Sequence, residues 1–167
     1  MRDVKIEKLT LNFGSGKDQK KLEKGIILIK HITGKEPIKT ITSKRIPAWE
    51  LRPGLAVGCK LTLRKDVKDL IKRLLASRKN ILPKKCFDEN GTVSFGIPEY
   101  IEIPDVEYEP KIGIMGFEVS VTLARAGFRI KDRRLKNKKV PGKHKVTQAD
   151  AIKYMEKEFG ITVGDKK

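Results

Sequence analysis

The sequence predicts an α+β fold: a single domain over residues 1–167, with a mixed or largely antiparallel sheet, helices packed on one face and protruding basic loops. Two segments carry this prediction, because apolar and polar residues alternate along residues 57–64 and 117–124. A strand of this kind has one buried and one solvated face, so helices are expected on one side of the sheet. Helical and extended patterns also follow one another without the strict order of a parallel fold.

The other elements follow from local patterns in chain order. Large apolar and β-branched residues predict a first strand over residues 4–13, and a helical stripe predicts a helix over residues 17–33 that ends at Gly34. A second apolar stripe predicts a helix over residues 67–75, with Asp66 as its N-cap.

The rest of the sequence adds two elements and several loops. A short strand is expected over residues 93–97, and Thr147 with Asp150 forms a capping box that opens a final helix ending at Gly160. Segments rich in proline or charge are predicted to be loops, where function is usually found. They are residues 40–54, 98–110 and 129–145.

Charge is sorted along the chain, which carries a formal net charge of +17. Nine Lys or Arg lie in residues 129–145 against one acid, and seven more lie in residues 35–64 against two acids. Residues 88–109 carry seven acids and no base. Dense positive charge repels itself unless an anionic partner neutralises it, and nucleic acid is the commonest such partner.

Several other classes of protein are disfavoured. No apolar run is long enough to span a membrane, and residues 1–5 lack the apolar region of a signal peptide. The only cysteines and histidines are too scattered for a zinc site, a disulfide framework or a catalytic constellation. They are Cys59, Cys86, His31 and His144. We therefore expect a cytoplasmic protein with no catalytic residue, no metal and no cofactor.

Two segments leave alternatives open. The acids of residues 88–109 either form a solvated surface that faces away from phosphate or converge on Mg²⁺ in a nuclease. The turn at residues 14–17 lacks the spacing of a phosphate-binding loop, although its backbone amides at a helix N-terminus are expected to be available to a phosphate.

The polar phase of the strand over residues 57–64 supplies candidate RNA contacts. Lys60, Thr62 and Arg64 lie on one face, where they either bind ribose hydroxyls and phosphates or face solvent. In the basic loop before this strand, Trp49 either stacks on an unpaired base or anchors the loop to the core. The arm at residues 129–145 cannot bury a core, so we expect it to be mobile when free and to add salt-dependent affinity for RNA.

Short motifs also recur in a fixed order along the chain. They are MRDVKIEKL at residues 1–9, LN at 11–12, ITGKEP at 32–37, the run from Gly54 to the VGCKLTLR ending at 57–64, FGIPE at 95–99 and IGIMG at 112–116. Together with the closing basic loop and helix, they resemble the family of large-subunit ribosomal proteins that bind 5S ribosomal RNA, number five in the universal nomenclature. The resemblance is closest to the archaeal and eukaryotic branch.

The resemblance implies a non-enzymatic component of the central protuberance in the cytoplasmic large ribosomal subunit. It implies 5S rRNA, large-subunit rRNA, P-site tRNA and neighbouring ribosomal proteins as partners. The positions carried over for 5S rRNA are Asn12, Lys35, Arg52, Thr62 and Arg64, beside Lys60 on the polar face. The positions for tRNA are Ser43, Lys44, Arg45, Ile46 and Trp49. The arm positions for large-subunit rRNA are Arg129, Arg133, Arg134, Lys136, Lys138 and Lys139. An extraribosomal RNA-binding or RNA-remodelling factor is the alternative.

Overall fold

The computed structural model describes residues 1–164, so the last three residues of the predicted domain lie outside the described part. The strands in this part are β1 (Val4–Gly14), β2 (Ile38–Ile41), β3 (Ala56–Leu63), β4 (Ile81–Leu82), β5 (Thr92–Ile97), β6 (Phe117–Arg125) and β7 (Thr162–Val163). The α-helices are α1 (Gln19–Thr33), α2 (Lys68–Ala76) and α3 (Gln148–Phe159). Five strands form a mostly antiparallel sheet in the order β2-β3-β1-β6-β5, while β4 pairs in parallel with β7. The predicted α+β class is confirmed.

The chain forms two compact units, and β1, β5 and β6 each contribute residues to both. The first unit contains residues 1–9 and 64–95 and the chain from Ser120 onward. The second unit contains residues 10–63 and 96–119.

In the second unit, α1 packs against β3 and has well-defined ends. The carboxylate of Asp18 accepts hydrogen bonds from the backbone N–H groups of Lys20 at 2.9 Å and Lys21 at 3.2 Å. Because Asp18 is the N-cap, the helix begins two residues after the predicted start. It ends at Gly34, whose φ of 69° lies in the left-handed region that suits glycine. The predicted end of the helix is confirmed.

Strand β2 lies at one edge of the sheet and was not predicted. It has only four residues, and the side chains of Ile38 and Ile41 are 70% and 66% exposed. Exposed isoleucines next to a loop give no burial pattern that would indicate a strand. Its neighbour β3 approaches β1 closely at Gly58, where an added Cβ atom would clash with the carbonyl oxygen of Phe13.

In the first unit, one predicted helix cap is right and the other is wrong. Helix α3 has the predicted capping box, because the Thr147 hydroxyl accepts from the Asp150 N–H at 3.3 Å and the Asp150 carboxylate accepts from the Thr147 N–H at 3.2 Å. Asp66 does not cap α2: its backbone is left-handed at φ 52°, and Val67 stands at the N-cap without a side-chain bond. An N-cap residue typically has an extended backbone, from which its side chain accepts from the first free N–H groups of the helix.

The predicted loop at residues 98–110 of the second unit contains buried residues. Tyr100 and Ile103 are buried, and the Tyr100 hydroxyl accepts a hydrogen bond from the Glu109 N–H at 3.0 Å. The segment is therefore anchored to the core by these two residues, while its acids Glu99, Glu102 and Glu107 are exposed to solvent.

Candidate nucleic-acid interface

Strand β3 presents a polar face in the second unit, as its alternation predicts. Cys59, Leu61 and Leu63 are buried, whereas Lys60 is exposed and Thr62 is half-buried on the opposite side. In the pairing with β2, Ile38 lies opposite Lys60, so its exposed side chain adds an apolar surface beside this cation. Sequence reasoning missed Ile38, because β2 itself was not recognised.

Asn12 of β1 lies on the same polar face, since its neighbours Leu11 and Phe13 are buried and β1 is adjacent to β3. Its side-chain amide donates a hydrogen bond to the Glu118 carboxylate at 3.2 Å. Glu118 therefore fixes the orientation of Asn12 and directs its side-chain carbonyl oxygen away from the carboxylate. The polar phase of β6 contains Glu118, but its pairing with a residue 106 positions away could not be read from the sequence.

The other predicted 5S rRNA positions lie outside the strands. Lys35 is exposed in the turn after α1, next to Glu36, whose carboxylate accepts from the Lys30 ammonium at 2.7 Å. This hydrogen bond and the positive charge of Lys30 lower the pKa of Glu36. Arg52 is exposed in the loop before β3. Arg64 is exposed directly after β3 and belongs to the first unit.

The loop between β2 and β3, residues 42–55, is built by backbone hydrogen bonds at its base and near its tip. At the base, the Thr42 N–H donates to the Leu55 oxygen at 2.9 Å. Near the tip, Ile46 and Leu51 form an antiparallel bridge around a short 3₁₀ turn at Pro47–Trp49. The loop therefore has an ordered, hairpin-like backbone from which its exposed side chains project.

Within this loop the predicted tRNA contacts differ in exposure. Ser43, Lys44 and Arg45 are exposed, whereas Ile46 is half-buried and takes part in the bridge. Trp49 is 68% exposed, which excludes the interpretation that it anchors the loop to the core. An exposed indole next to cations is suited to stacking on a base.

An ion pair that the sequence did not reveal holds the loop tip. The Lys17 ammonium, just before α1, donates to the carboxylate of Glu50, which follows Trp49 and has a left-handed backbone at φ 54°. This hydrogen bond and the charge of Lys17 lower the pKa of Glu50. The two residues are 33 positions apart, so only the folded chain brings them together.

The basic arm of the first unit is partly held by its own backbone. The Arg133 guanidinium donates to the Lys136 oxygen from Nε at 3.0 Å and from Nη2 at 2.8 Å. The Asn137 amide donates to the Lys131 oxygen at 2.6 Å. The Arg133 side chain therefore stabilises the conformation of the arm. The other predicted arm positions are all exposed: Arg129, Arg134, Lys136, Lys138 and Lys139.

Two side chains connect the end of the arm to the rest of the first unit. His144 is half-buried with Nε2 2.9 Å from the Ala126 oxygen, and its ring packs edge-on against Phe128. Both contacts of the His144 ring are therefore with protein groups. Arg125 donates to the Lys143 oxygen at 3.3 Å and to the Asp150 carboxylate at 2.8 Å. Hydrogen bonds from Thr147 lower the pKa of Asp150 despite its partial burial, and the charge of Arg125 lowers it further.

The turn at residues 14–17 is not available to phosphate, contrary to expectation. The N–H groups of Ser15 and Gly16 both donate to the Val57 oxygen, at 2.9 and 3.2 Å. The first free amides of α1 are satisfied by Asp18. Intramolecular bonds therefore use the donors that a phosphate would need.

The reactive side chains show no activated nucleophile in the part of the chain that the structure describes. Burial raises the pKa of the Cys59 thiol to about 11, and burial also raises the pKa of Cys86. Among residues 1–164, no three His, Cys, Asp or Glu side chains converge as a metal site would require. No helix within these residues has the length and apolar character needed to cross a membrane.

Comparison with known proteins places the chain in a family. A profile described as "Ribosomal protein L5" matches residues 1–52, and a profile for the C-terminus of the same ribosomal family matches residues 56–154. "Large ribosomal subunit protein uL5" of Nanoarchaeum equitans is 41% identical over 98% of this chain and 97% of its own length. The protein of the same name from Methanoregula boonei is 40% identical over 98% of this chain and 99% of its own length. The one from Methanobrevibacter smithii is 40% identical over 96% of this chain and 95% of its own length. The chain therefore belongs to the ribosomal protein L5 family, whose members are structural, non-enzymatic proteins of the cytoplasmic large ribosomal subunit and have rRNA and other ribosomal proteins as partners.

Proposed function

We propose that this chain binds 5S rRNA through the polar face of its sheet, contacts the P-site tRNA through the loop 42–55, and binds large-subunit rRNA through its basic arm. The observation that carries the proposal is the polar face of β3 and β1. Its opposite side is buried, so Lys60, Thr62 and Asn12 have no role in packing the core.

The chemistry of this face suits an RNA backbone. Lys60 supplies a charge for a phosphate, the Thr62 hydroxyl can donate to or accept from a ribose 2′-OH, and Asn12 is held by Glu118 with its carbonyl oxygen available. The exposed Ile38 beside Lys60 offers an apolar contact to a ribose or base. Such a surface recognises shape and backbone more than sequence. Lys35, Arg52 and Arg64 are further proposed 5S rRNA contacts.

The two basic segments are proposed to use different chemistry. In the loop 42–55, Trp49 stacks on tRNA while Ser43, Lys44 and Arg45 contact its backbone. In the arm, the exposed lysines and arginines neutralise phosphates of large-subunit rRNA. The acidic surface, residues 99–109, is proposed to face protein neighbours, because carboxylates repel phosphate.

The proposed 5S rRNA face is tested by the double variant Lys60→Gln, Thr62→Val. Binding to 5S rRNA is expected to weaken by about 10–100-fold, since one charge-assisted contact and one hydroxyl contact are lost. The matched control is Lys153→Gln, Thr162→Val, which removes the same groups from exposed positions of the first unit. Gel-shift titration at fixed salt measures the affinities, and equal affinity of both variants would show that the RNA face is misassigned.

The extraribosomal alternative predicts a different distribution in the cell. A ribosomal role requires stoichiometric copurification with large subunits through high-salt washing. Recovery only in ribosome-free fractions would favour the extraribosomal factor.

A further inference from the structure

A second concentration of positive charge lies in the first unit, outside every proposed contact. Residues 65–85 contain eight Lys or Arg and two acids. Its last part, which we name the 78–85 cluster, contains Arg78, Lys79, Lys84 and Lys85 and no acid. None of these four side chains forms an ion pair with another described residue.

The backbone beneath the cluster is tightly constrained. Lys79 and Asn80 both have left-handed backbones at φ 56°, an arrangement that costs free energy in residues other than glycine. The Asn80 N–H donates to the Leu75 oxygen at 3.1 Å, and the Asn80 oxygen accepts from the Thr162 N–H at 2.8 Å. The turn is thus fixed between the end of α2 and strand β7.

The Lys84–Cys86 3₁₀ turn is fixed from α3. The side-chain amide of Gln148 donates to the Phe87 oxygen at 2.7 Å and to the Lys84 oxygen at 3.4 Å. Lys84 and Lys85 therefore project from a backbone that is already ordered, which reduces the entropic cost of binding through them.

Two of the cations, Arg78 and Lys85, act electrostatically on the Cys86 thiol. Burial raises the pKa of Cys86, while the positive charges of Arg78 and Lys85 act in the opposite direction. The side chains from either end of residues 78–85 thus lie close enough to act on the same group.

The surface lacks the features of a protein-binding site. Protein interfaces are centred on exposed apolar anchors, but no large apolar side chain is exposed between residues 65 and 85. The acidic surface at residues 99–109 is different in this respect, because it exposes Ile101 and Tyr108. Unpaired cations on a rigid, apolar-free surface are suited to the phosphate backbone of RNA.

We propose that the 78–85 cluster is an additional RNA-binding site, which takes the phosphate backbone of large-subunit rRNA independently of the basic arm. The identity of this RNA rests on the proposed function, whereas the site itself rests on the geometry of the cluster.

Cys86 provides a native probe of this site. The half-buried Cys86 thiol of the free protein is expected to react with iodoacetamide, whereas Cys59 is fully buried and is expected to stay unreactive while the chain is folded. Deproteinised large-subunit rRNA is expected to slow alkylation of Cys86 severalfold, because the RNA covers the thiol and neutralises Arg78 and Lys85. Polyglutamate at equal charge concentration is expected to have little effect.

The variant Lys84→Gln, Lys85→Gln is expected to lose this protection. Its slope of log affinity against log salt concentration should fall by about 1.4–1.8, as for two lost phosphate contacts. The control Lys21→Gln, Lys24→Gln removes the same charge from the exposed surface of α1 and should leave Cys86 protected. Circular dichroism confirms that both variants are folded.

The outcomes separate this inference from the proposed function. Unchanged Cys86 alkylation and an unchanged salt slope overturn the inference, even if the Lys60 and Thr62 variant loses 5S rRNA. If polyglutamate protects Cys86 as well as the RNA does, the inference is also overturned, and an acidic protein becomes the expected partner of the cluster. A third outcome combines two results: large-subunit rRNA protects Cys86, but 5S rRNA binding does not depend on Lys60 and Thr62. This outcome supports the 78–85 cluster and refutes the proposed 5S rRNA face.

Discussion

The loop 42–55 and the arm 129–145 are both basic segments without regular secondary structure, yet they are built differently. The loop is closed by backbone bridges and presents one exposed indole, Trp49. The arm has no aromatic residue within it other than His144, which is used internally, and it presents exposed cations around a fold held by Arg133. The loop is therefore suited to stacking on an unpaired base, and the arm to neutralising phosphates.

The largest expected effect concerns the arm. Lys136→Gln, Lys138→Gln, Lys139→Gln removes three exposed cations and none of the internal bonds of Arg133, which uses only the backbone oxygen of Lys136. Affinity for large-subunit rRNA should fall on the order of 100-fold, and the salt slope should fall by about 2–3. Filter binding across a salt series measures both values. A weakened complex with an unchanged slope would mean that these lysines do not contact phosphate.

A smaller effect with a different signature is expected from the loop. Trp49→Ala should weaken P-site tRNA binding to reconstituted ribosomes by about 1–3 kcal/mol, the value of one base–aromatic stack. Trp49→Phe should retain most of the affinity, and neither change should alter the salt slope. Loss of tRNA affinity in the Phe variant equal to that in the Ala variant would exclude stacking.

The anchor of the arm gives a prediction about pH. Because hydrogen bonds from Thr147 keep the pKa of Asp150 below its ordinary value of 3.8, its contribution to stability is complete above that pH and is lost as the pH falls through the lowered pKa. Asp150→Asn should reduce the free energy of unfolding at pH 7 by about 0.5–1 kcal/mol, because the amide oxygen still accepts from the Thr147 N–H but the negative charge that strengthens this bond and pairs with Arg125 is lost. Urea titrations should show this difference disappearing in strong acid. A difference that is constant down to about pH 2 would show that ionisation of Asp150 is irrelevant.

The anchor of the loop gives the smallest effect, but its sign is informative. Glu50→Gln removes one negative charge from the loop, so electrostatic attraction alone predicts tighter tRNA binding. If the Lys17–Glu50 pair positions Trp49, binding should instead weaken, by less than about threefold for so exposed a pair. The double variant Lys17→Glu, Glu50→Lys should restore most of the affinity. Tighter binding by Glu50→Gln would mean that the pair does not position the loop.

Patterns that repeat within a few residues were readable from the sequence. The alternation in β3 identified the polar face of Lys60 and Thr62, and the capping box of Thr147 and Asp150 located the start of α3. The capping prediction at Asp66 was wrong, because its backbone is left-handed and Val67 takes the N-cap position instead.

Contacts between residues far apart in the chain could not be predicted in this way. The Lys17–Glu50 and Asn12–Glu118 pairs depend on which strands and loops become neighbours. The same holds for the backbone amides of Ser15 and Gly16, which donate to the Val57 oxygen. It also holds for Tyr100, because the acidic residues around it in the sequence do not indicate that it is buried. In each case the sequence shows the group but not its partner.

Site-specific crosslinking in intact ribosomes tests the division of RNA partners most directly. A photoreactive residue is placed in turn at positions 60, 49 and 138, and the crosslinked RNA is sequenced. The predicted result is 5S rRNA from position 60, P-site tRNA from position 49 and large-subunit rRNA from position 138. Crosslinking of all three positions to one RNA, or of position 60 to protein alone, would contradict the assignment of a separate RNA to each surface.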